Sequence, residues 1–292
     1  MKRGIGVLAL GFTAFALLGG CAAQRAVDGV HLAALGSGEV FYQFYNAKPE
    51  SGVESTPLVF VHGWACDHRH WAAQVEGLAH DRAMLVIDLP GYGQSSDGGS
   101  PHTMDLYAAG VASAMDDAGL ERAVLIGHSM GTAVIRQFYR HHPARTAGLV
   151  AVDGALQMES PEEMEEAGAP LFTDQWQEYA VRMFDGMSSE MAHDADRALV
   201  REVLRGTTRD SVRGGFASMI DPEIWTDEPI GAPLLLTITE APWWTDAYKE
   251  YVRTLAPGVR IEVFPGASHF LMMDQPEHFN RVLEAWLEQR GL

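Results

Sequence analysis

The sequence predicts an α/β fold, a doubly wound and mostly parallel sheet that carries an inserted helical cap. Three observations predict it. Short apolar runs bounded by turn residues alternate with stretches of helical spacing, which is the pattern of buried parallel strands joined by crossover helices. The alternation stops between Ala155 and about Glu228, where only helical patterns rich in Met and acidic residues occur, and it resumes at Pro233. One apolar run, Ala123 to Ile126, passes directly into Gly127-His128-Ser129-Met130-Gly131 and then into a helical pattern that Pro143 closes.

Residues 1–20 read as an export signal rather than as part of the fold. Lys2-Arg3 precede an apolar run from Ile5 to Leu18, too short to span a bilayer comfortably, and Leu18-Gly19-Gly20-Cys21 offers a small-residue cleavage site. Those last four residues resemble the lipobox of bacterial lipoproteins, which implies lipidation of Cys21. Ala22 beside it implies sorting to the outer membrane, on the periplasmic side of the cell envelope. A plain cleaved signal is the alternative. Residues 21–37 follow as a tether, or in part as a first edge strand.

The rest of the chain divides into a first core segment, 38–154, the cap, 155–229, and a second core segment, 230–292. Val40 to Tyr45 is aromatic and strand-like. Pro57 to Val61, Ala83 to Asp88 and Gly148 to Asp153 are apolar enough for strands buried on both faces. Helices are expected from about Trp71 to His80, from Met104 to Ala118 and from Pro276 to Gln289. Pro233 to Thr239 and Val259 to Phe264 supply the last two strands.

Charge narrows the partners. The 292 residues carry 21 Lys and Arg against 39 Asp and Glu, a formal net charge of −18. Losing residues 1–20 removes two cations and no acid, so the remainder stands at −20. Such a surface repels nucleic acid and anionic headgroups, which leaves the N-terminal lipid as the one expected membrane contact. With Cys21 modified, Cys66 is the single cysteine of the body, so no internal disulfide can form.

The strand, glycine-flanked serine and helix around Ser129 are the context of a nucleophile elbow. There the serine sits in a strained turn that lifts Oγ clear of the sheet, and small residues two positions away let strand and helix approach. Together with Val61-His62-Gly63-Trp64, Asp88-Leu89-Pro90-Gly91-Tyr92-Gly93-Gln94-Ser95 and Gly266-Ala267-Ser268-His269-Phe270, it makes four motifs in one order. In that order they resemble the α/β-hydrolase superfamily, specifically its cap-bearing serine hydrolases. The resemblance covers the chain from about residue 38 to the end.

A serine hydroxyl needs a base within hydrogen-bond reach. His269 is the candidate, because it alone of the 12 histidines lies in a loop between the last strand and the final helix. The resemblance implies an oxyanion hole made by the backbone N–H groups of Trp64 and Met130, with the Trp64 indole lining the pocket. The acid departs from the family pattern. Relatives usually carry it a few residues after the strand ending at Thr239, where this chain has Ala241, Pro242 and Trp243. Glu240 is near, and Asp246 lies farther along. Some relatives, the haloalkane dehalogenases among them, place the acid after the preceding strand, and Asp153 stands there. Asp153 is preferred to Glu240, its structural alternative being a helix cap or a loop anchor for the cap.

Other features have plainer readings. His62, His68 and His70 around Cys66 fit no standard zinc spacing, and His62 reads as structural. His141-His142 suit a helix C-terminus. Met158, Met164, Met183, Met187 and Met191 read first as cap core, and with Trp176 and Phe184 would also suit a forgiving apolar pocket. The expected function is cleavage of small to medium, neutral, apolar carboxylic esters through an acyl-enzyme, with no metal or organic cofactor. Lactonase, thioesterase, amidase, C–C hydrolase and perhydrolase chemistry share the fold. Haloalkane dehalogenation is disfavoured because Ser129 stands where that family has Asp. A hydrolase-derived binding or sensory protein without turnover is the reading from another class, favoured only by the unusual acid position.

Overall fold

The computed structural model describes residue 1 and residues 26–47, 55–80, 82–158 and 160–292. The expected signal, apart from Met1, and the candidate lipidation residue Cys21 lie outside the described residues.

An eight-stranded sheet forms the centre, built from β1 Gly29–Leu35, β2 Gly38–Tyr45, β3 Leu58–Val61, β4 Met84–Ile87, β5 Ala123–His128, β6 Thr146–Val152, β7 Leu234–Thr239 and β8 Arg260–Phe264. Their order across the sheet is β1-β2-β4-β3-β5-β6-β7-β8. β1 and β4 flank β2 antiparallel, and every pairing from β4 to β8 is parallel. The continuous apolar runs become strands in which every residue is buried, as in β3, β4, β5, β6 and β7. A parallel sheet covered by helices on both faces demands that.

Residues 29–35 are an edge strand rather than tether. β1 pairs with β2 along its whole length, from Gly29 opposite Phe44 to Leu35 opposite Gly38. The two-residue turn between them needs a left-handed conformation, and Gly36 supplies it at φ 58°. The helix expected from Trp71 begins earlier, with a 3₁₀ turn at His68–Trp71 that Asp67 caps, and continues as α1 Ala72–Leu78.

The remaining helices are α2 Met104–Asp117, α3 Met130–His141, α4 Pro161–Gly168, α5 Trp176–Met187, α6 Asp194–Gly206, α7 Arg209–Met219, α8 Asp246–Leu255, α9 Leu271–Asp274 and α10 Pro276–Arg290. Helices α4 to α7 lie between β6 and β7 in the chain and make the cap. Buried hydrogen bonds tie it to the core. Tyr92 Oη donates to the Ser211 carbonyl (2.9 Å), Ser211 Oγ donates to the Gly91 carbonyl (2.6 Å), and the buried Arg136 guanidinium donates to the carbonyls of Leu156 and Thr226. Each such bond contributes about 1 kcal/mol net, and more is lost if one partner is left buried alone.

Candidate functional site

Ser129 occupies the joint between β5 and α3 at φ 52°, ψ −119°. A non-glycine residue there costs roughly 1–3 kcal/mol, so neighbouring structure must impose it. The imposition is visible atom by atom. Ser129 N donates to the Val152 carbonyl at 2.9 Å, and Thr132 Oγ1 donates to the Gly127 carbonyl at 2.9 Å. A Cβ on Gly127 would stand 2.2 Å from the Gly131 carbonyl oxygen, and one on Gly131 would stand 2.6 Å from the Val61 oxygen. Strand and helix are thus too close for any side chain at either flank.

Asp153 follows β6 directly and takes a left-handed conformation, φ 43°, which Asp tolerates better than most residues. Its backbone N–H donates to the Thr237 carbonyl of β7 at 2.8 Å. One carboxylate oxygen, Oδ2, lies 2.7 Å from Nδ1 of His269. The other, Oδ1, accepts from Thr239 N (2.9 Å), Thr239 Oγ1 (3.1 Å) and Trp244 Nε1 (2.9 Å). A carboxylate can only accept, so the contact with His269 places the imidazole proton on Nδ1 and leaves Nε2 as the basic nitrogen. Asp153 is buried, and its two oxygens are fully committed.

Glu240 does not reach His269. It is exposed, and Oε2 accepts from Gly266 N at 3.3 Å. Asp246 is also exposed and sits 3.5 Å from Lys249 Nζ. The stretch in which relatives by resemblance carry the acid supplies, in this chain, the donors that hold Asp153. Thr239 and Trp244 were missed in the sequence because neither is acidic. The signal that could have found them is a polar strand end and a tryptophan N–H opposite a buried carboxylate.

Trp64 and Met130, the expected backbone donors, both line the cavity that holds Ser129. Met130 is the first residue of α3, so its N–H belongs to the turn that has no partner within the helix, at the positive end of the dipole. Trp64 opens a tight turn closed by Cys66 N donating to the Gly63 carbonyl (3.2 Å), with Ala65 at φ 50°. The Trp64 indole packs at 5.5 Å from Phe184 and donates Nε1–H to the Val212 carbonyl of α7 at 2.8 Å. The cap also touches the base directly, since His269 N donates to the Met187 carbonyl at the end of α5 (3.2 Å).

The neighbouring histidines have structural partners. His128, inside the elbow, is buried, and its Nε2 lies 2.9 Å from the His269 carbonyl. Burial, reinforced by His269, holds its pKa well below the ordinary histidine value, so it donates to that carbonyl as a neutral ring. His62 accepts from Leu89 N (2.9 Å) and donates to the Gly63 carbonyl (2.8 Å). His68 bonds Asp88, which also accepts from Gln94 N at 2.9 Å and so folds the loop after β4.

Above these groups lies a cavity of about 1320 Å³, lined among others by Ser129, Met130, Trp64, Asp153 and His269. Phe184, Met158, Met164, Met183 and Met187 line it as well. Met191 is instead buried core, and Trp176 packs against the core without reaching the cavity.

A mostly parallel sheet with a serine elbow on its central strand, and an Asp–His pair on the same edge, defines a class of hydrolytic enzymes. The chain belongs to the alpha/beta hydrolase family, whose sequence profile matches residues 58–282. Among curated relatives, the pimeloyl-[acyl-carrier protein] methyl ester esterase of Edwardsiella ictaluri is 26% identical over 268 residues, covering 82% of this chain and 96% of that one. The biotin biosynthesis bifunctional protein BioHC of Cellvibrio japonicus is 26% identical over 244 residues, 79% of this chain, which spans about half of that relative's length (47%). Among solved structures, a malate-bound thermophilic esterase from Thermogutta terrifontis is similar with a TM-score of 0.74, at 25% identity over 92% of this chain and 99% of that one.

Proposed function

We propose that the protein is a serine esterase that cleaves neutral, apolar carboxylic esters through an acyl-enzyme. The observation that carries this reading is the 2.7 Å contact between Asp153 and His269 beside a serine held at φ 52°. In this mechanism His269 Nε2 takes the hydroxyl proton as Ser129 Oγ attacks the acyl carbon. Asp153 stabilises the imidazolium and keeps its orientation. Negative charge developing on the carbonyl oxygen is met by the N–H groups of Met130 and Trp64, which are rigid and reorganise little. The imidazolium then protonates the departing alkoxide, and water attacks the acyl-enzyme with the same base. Two similar proteins described as esterases support ester chemistry.

The non-catalytic ligand-binding reading rested on the unusual position of the acid, and the 2.7 Å contact between Asp153 and His269 supports the enzymatic reading over it. An active-site fluorophosphonate should label the protein on Ser129, and Ser129→Ala should lose the label. Labelling that persists in the variant would mean that another residue is the nucleophile.

We also propose that the protein is exported and anchored at the outer membrane through Cys21. Lys2-Arg3, the apolar run to Leu18 and the Leu18-Gly19-Gly20-Cys21 sequence support it.

A further inference from the structure

Pockets for drug-sized ligands run to roughly 300–1,000 Å³, and the cavity over Ser129 exceeds that, at about 1320 Å³. It is more than a small or medium ester needs. Its walls come largely from thioether and aromatic side chains, including Met158, Met183, Met187, Met219 and Phe216. Unbranched methionines reshape around ligands of differing outline, which suits a chain more than a rigid ring.

The charge of the lining is one-sided. Asp153 is engaged with His269, and Glu163, Glu190 and Glu240 are exposed at the mouth. Among the described residues no Lys or Arg lines the cavity, and neither Glu163 nor Glu190 is paired with a cation. An anionic group at that mouth would meet like charge and find no basic side chain to pair with.

From these two observations we infer that the site takes uncharged esters bearing a long or bulky apolar chain, and rejects acyl groups joined to an anionic carrier. The inference rests on the serine-esterase reading and narrows it. It sets the chain apart from the pimeloyl-[acyl-carrier protein] methyl ester esterases, whose named substrate is carried on a protein. Apolar groups are drawn in because each methylene removed from water favours binding by up to about fourfold. Phosphopantetheine thioesters and other anionic conjugates are turned away at the carboxylates.

Two substrate series on the wild-type protein test both halves. With p-nitrophenyl acetate, butyrate, octanoate and dodecanoate below their aggregation limits, kcat/KM should rise at least about thirtyfold from acetate to octanoate. With 4-nitro-3-octanoyloxybenzoic acid against its neutral carboxamide, the carboxamide should be preferred about tenfold or more at low salt. That preference should shrink in 1 M salt, where the Debye length is about 3 Å, and in Glu163→Gln/Glu190→Gln. Acetate turning over as well as octanoate would overturn the chain-length half. Equal rates on the acid and the carboxamide would overturn the charge half. Absence of turnover on every ester, together with no fluorophosphonate labelling, would instead bring down the esterase reading itself.

Discussion

Asp153 is the residue on which the proposed chemistry turns, and a single isosteric change tests it. Oδ1 accepts from two N–H groups and one hydroxyl, whereas Oδ2 faces His269 alone. In Asp153→Asn the amide oxygen must keep the side facing the Thr239 backbone N–H and the Trp244 indole N–H, which can only donate. The NH₂ group is then turned toward His269 Nδ1 and forces the proton onto Nε2, the nitrogen that should act as base. A fall in kcat of about a thousandfold or more is expected, with the melting temperature close to wild type. Glu240→Gln should cost about tenfold at most, through the local field alone. The reverse ranking would reassign the acid. Ser129 and His269 were legible in the sequence because their signals are local: a strand and helix around one, a strand–loop–helix around the other. Asp153 was legible only as a preference over Glu240. What holds its carboxylate beside His269, the donors at Thr239 and Trp244, lies 86 and 91 residues away in the chain.

Elements show the same division between local and distant signals. Strands β3 to β7 could be read directly, because burial on both faces leaves them mostly apolar, with polar residues confined to a few positions such as His128, Thr146, Thr237 and Thr239. β1 could not be separated from a tether, since six of its seven positions are partly or fully exposed and Val30 and Leu32 are among them. The start of α1 was displaced by a 3₁₀ turn whose cap, Asp67, follows the Trp64 turn too closely to show as a break in periodicity. At the elbow the close approach of β5 and α3 sets a sharp expectation for glycine. Gly127→Ala places a methyl 2.2 Å from a backbone oxygen that cannot rotate away. Unfolding free energy should fall by about 3 kcal/mol, lowering the melting temperature by roughly 6 °C or more. Gly186→Ala is the control. Its Cβ meets nothing within 4 Å in the helical α5, so the variant should be stabilised by about 0.5–1 kcal/mol. Equal effects of the two substitutions in denaturant titrations would show that packing at the elbow is looser than these distances require.

At the scale of the whole molecule, the proposed anchor at Cys21 would hold an acidic body near a membrane. Residues 22–28 link Cys21 to β1, and fully extended they reach at most about 25 Å. An acylated Cys21 would therefore keep the β1 edge of the sheet close to the bilayer, and that edge carries the exposed apolar residues Val27, Val30 and Leu32. Those few side chains would not hold a body of net charge near −20 against anionic headgroups, so the proposed attachment would depend on covalent lipid. More than one acyl chain is needed for stable anchoring, since a single chain of about 14 carbons binds only marginally. The mature protein should accordingly enter the detergent phase on Triton X-114 partitioning, and raised salt should not release it from membranes. Cys21→Ser should move it to the aqueous phase or leave it unprocessed, with fluorophosphonate labelling at Ser129 unaffected. Mass spectrometry showing an unmodified N-terminus after cleavage would overturn the anchor, and a wild-type protein washed off membranes by salt would replace it with a purely electrostatic attachment.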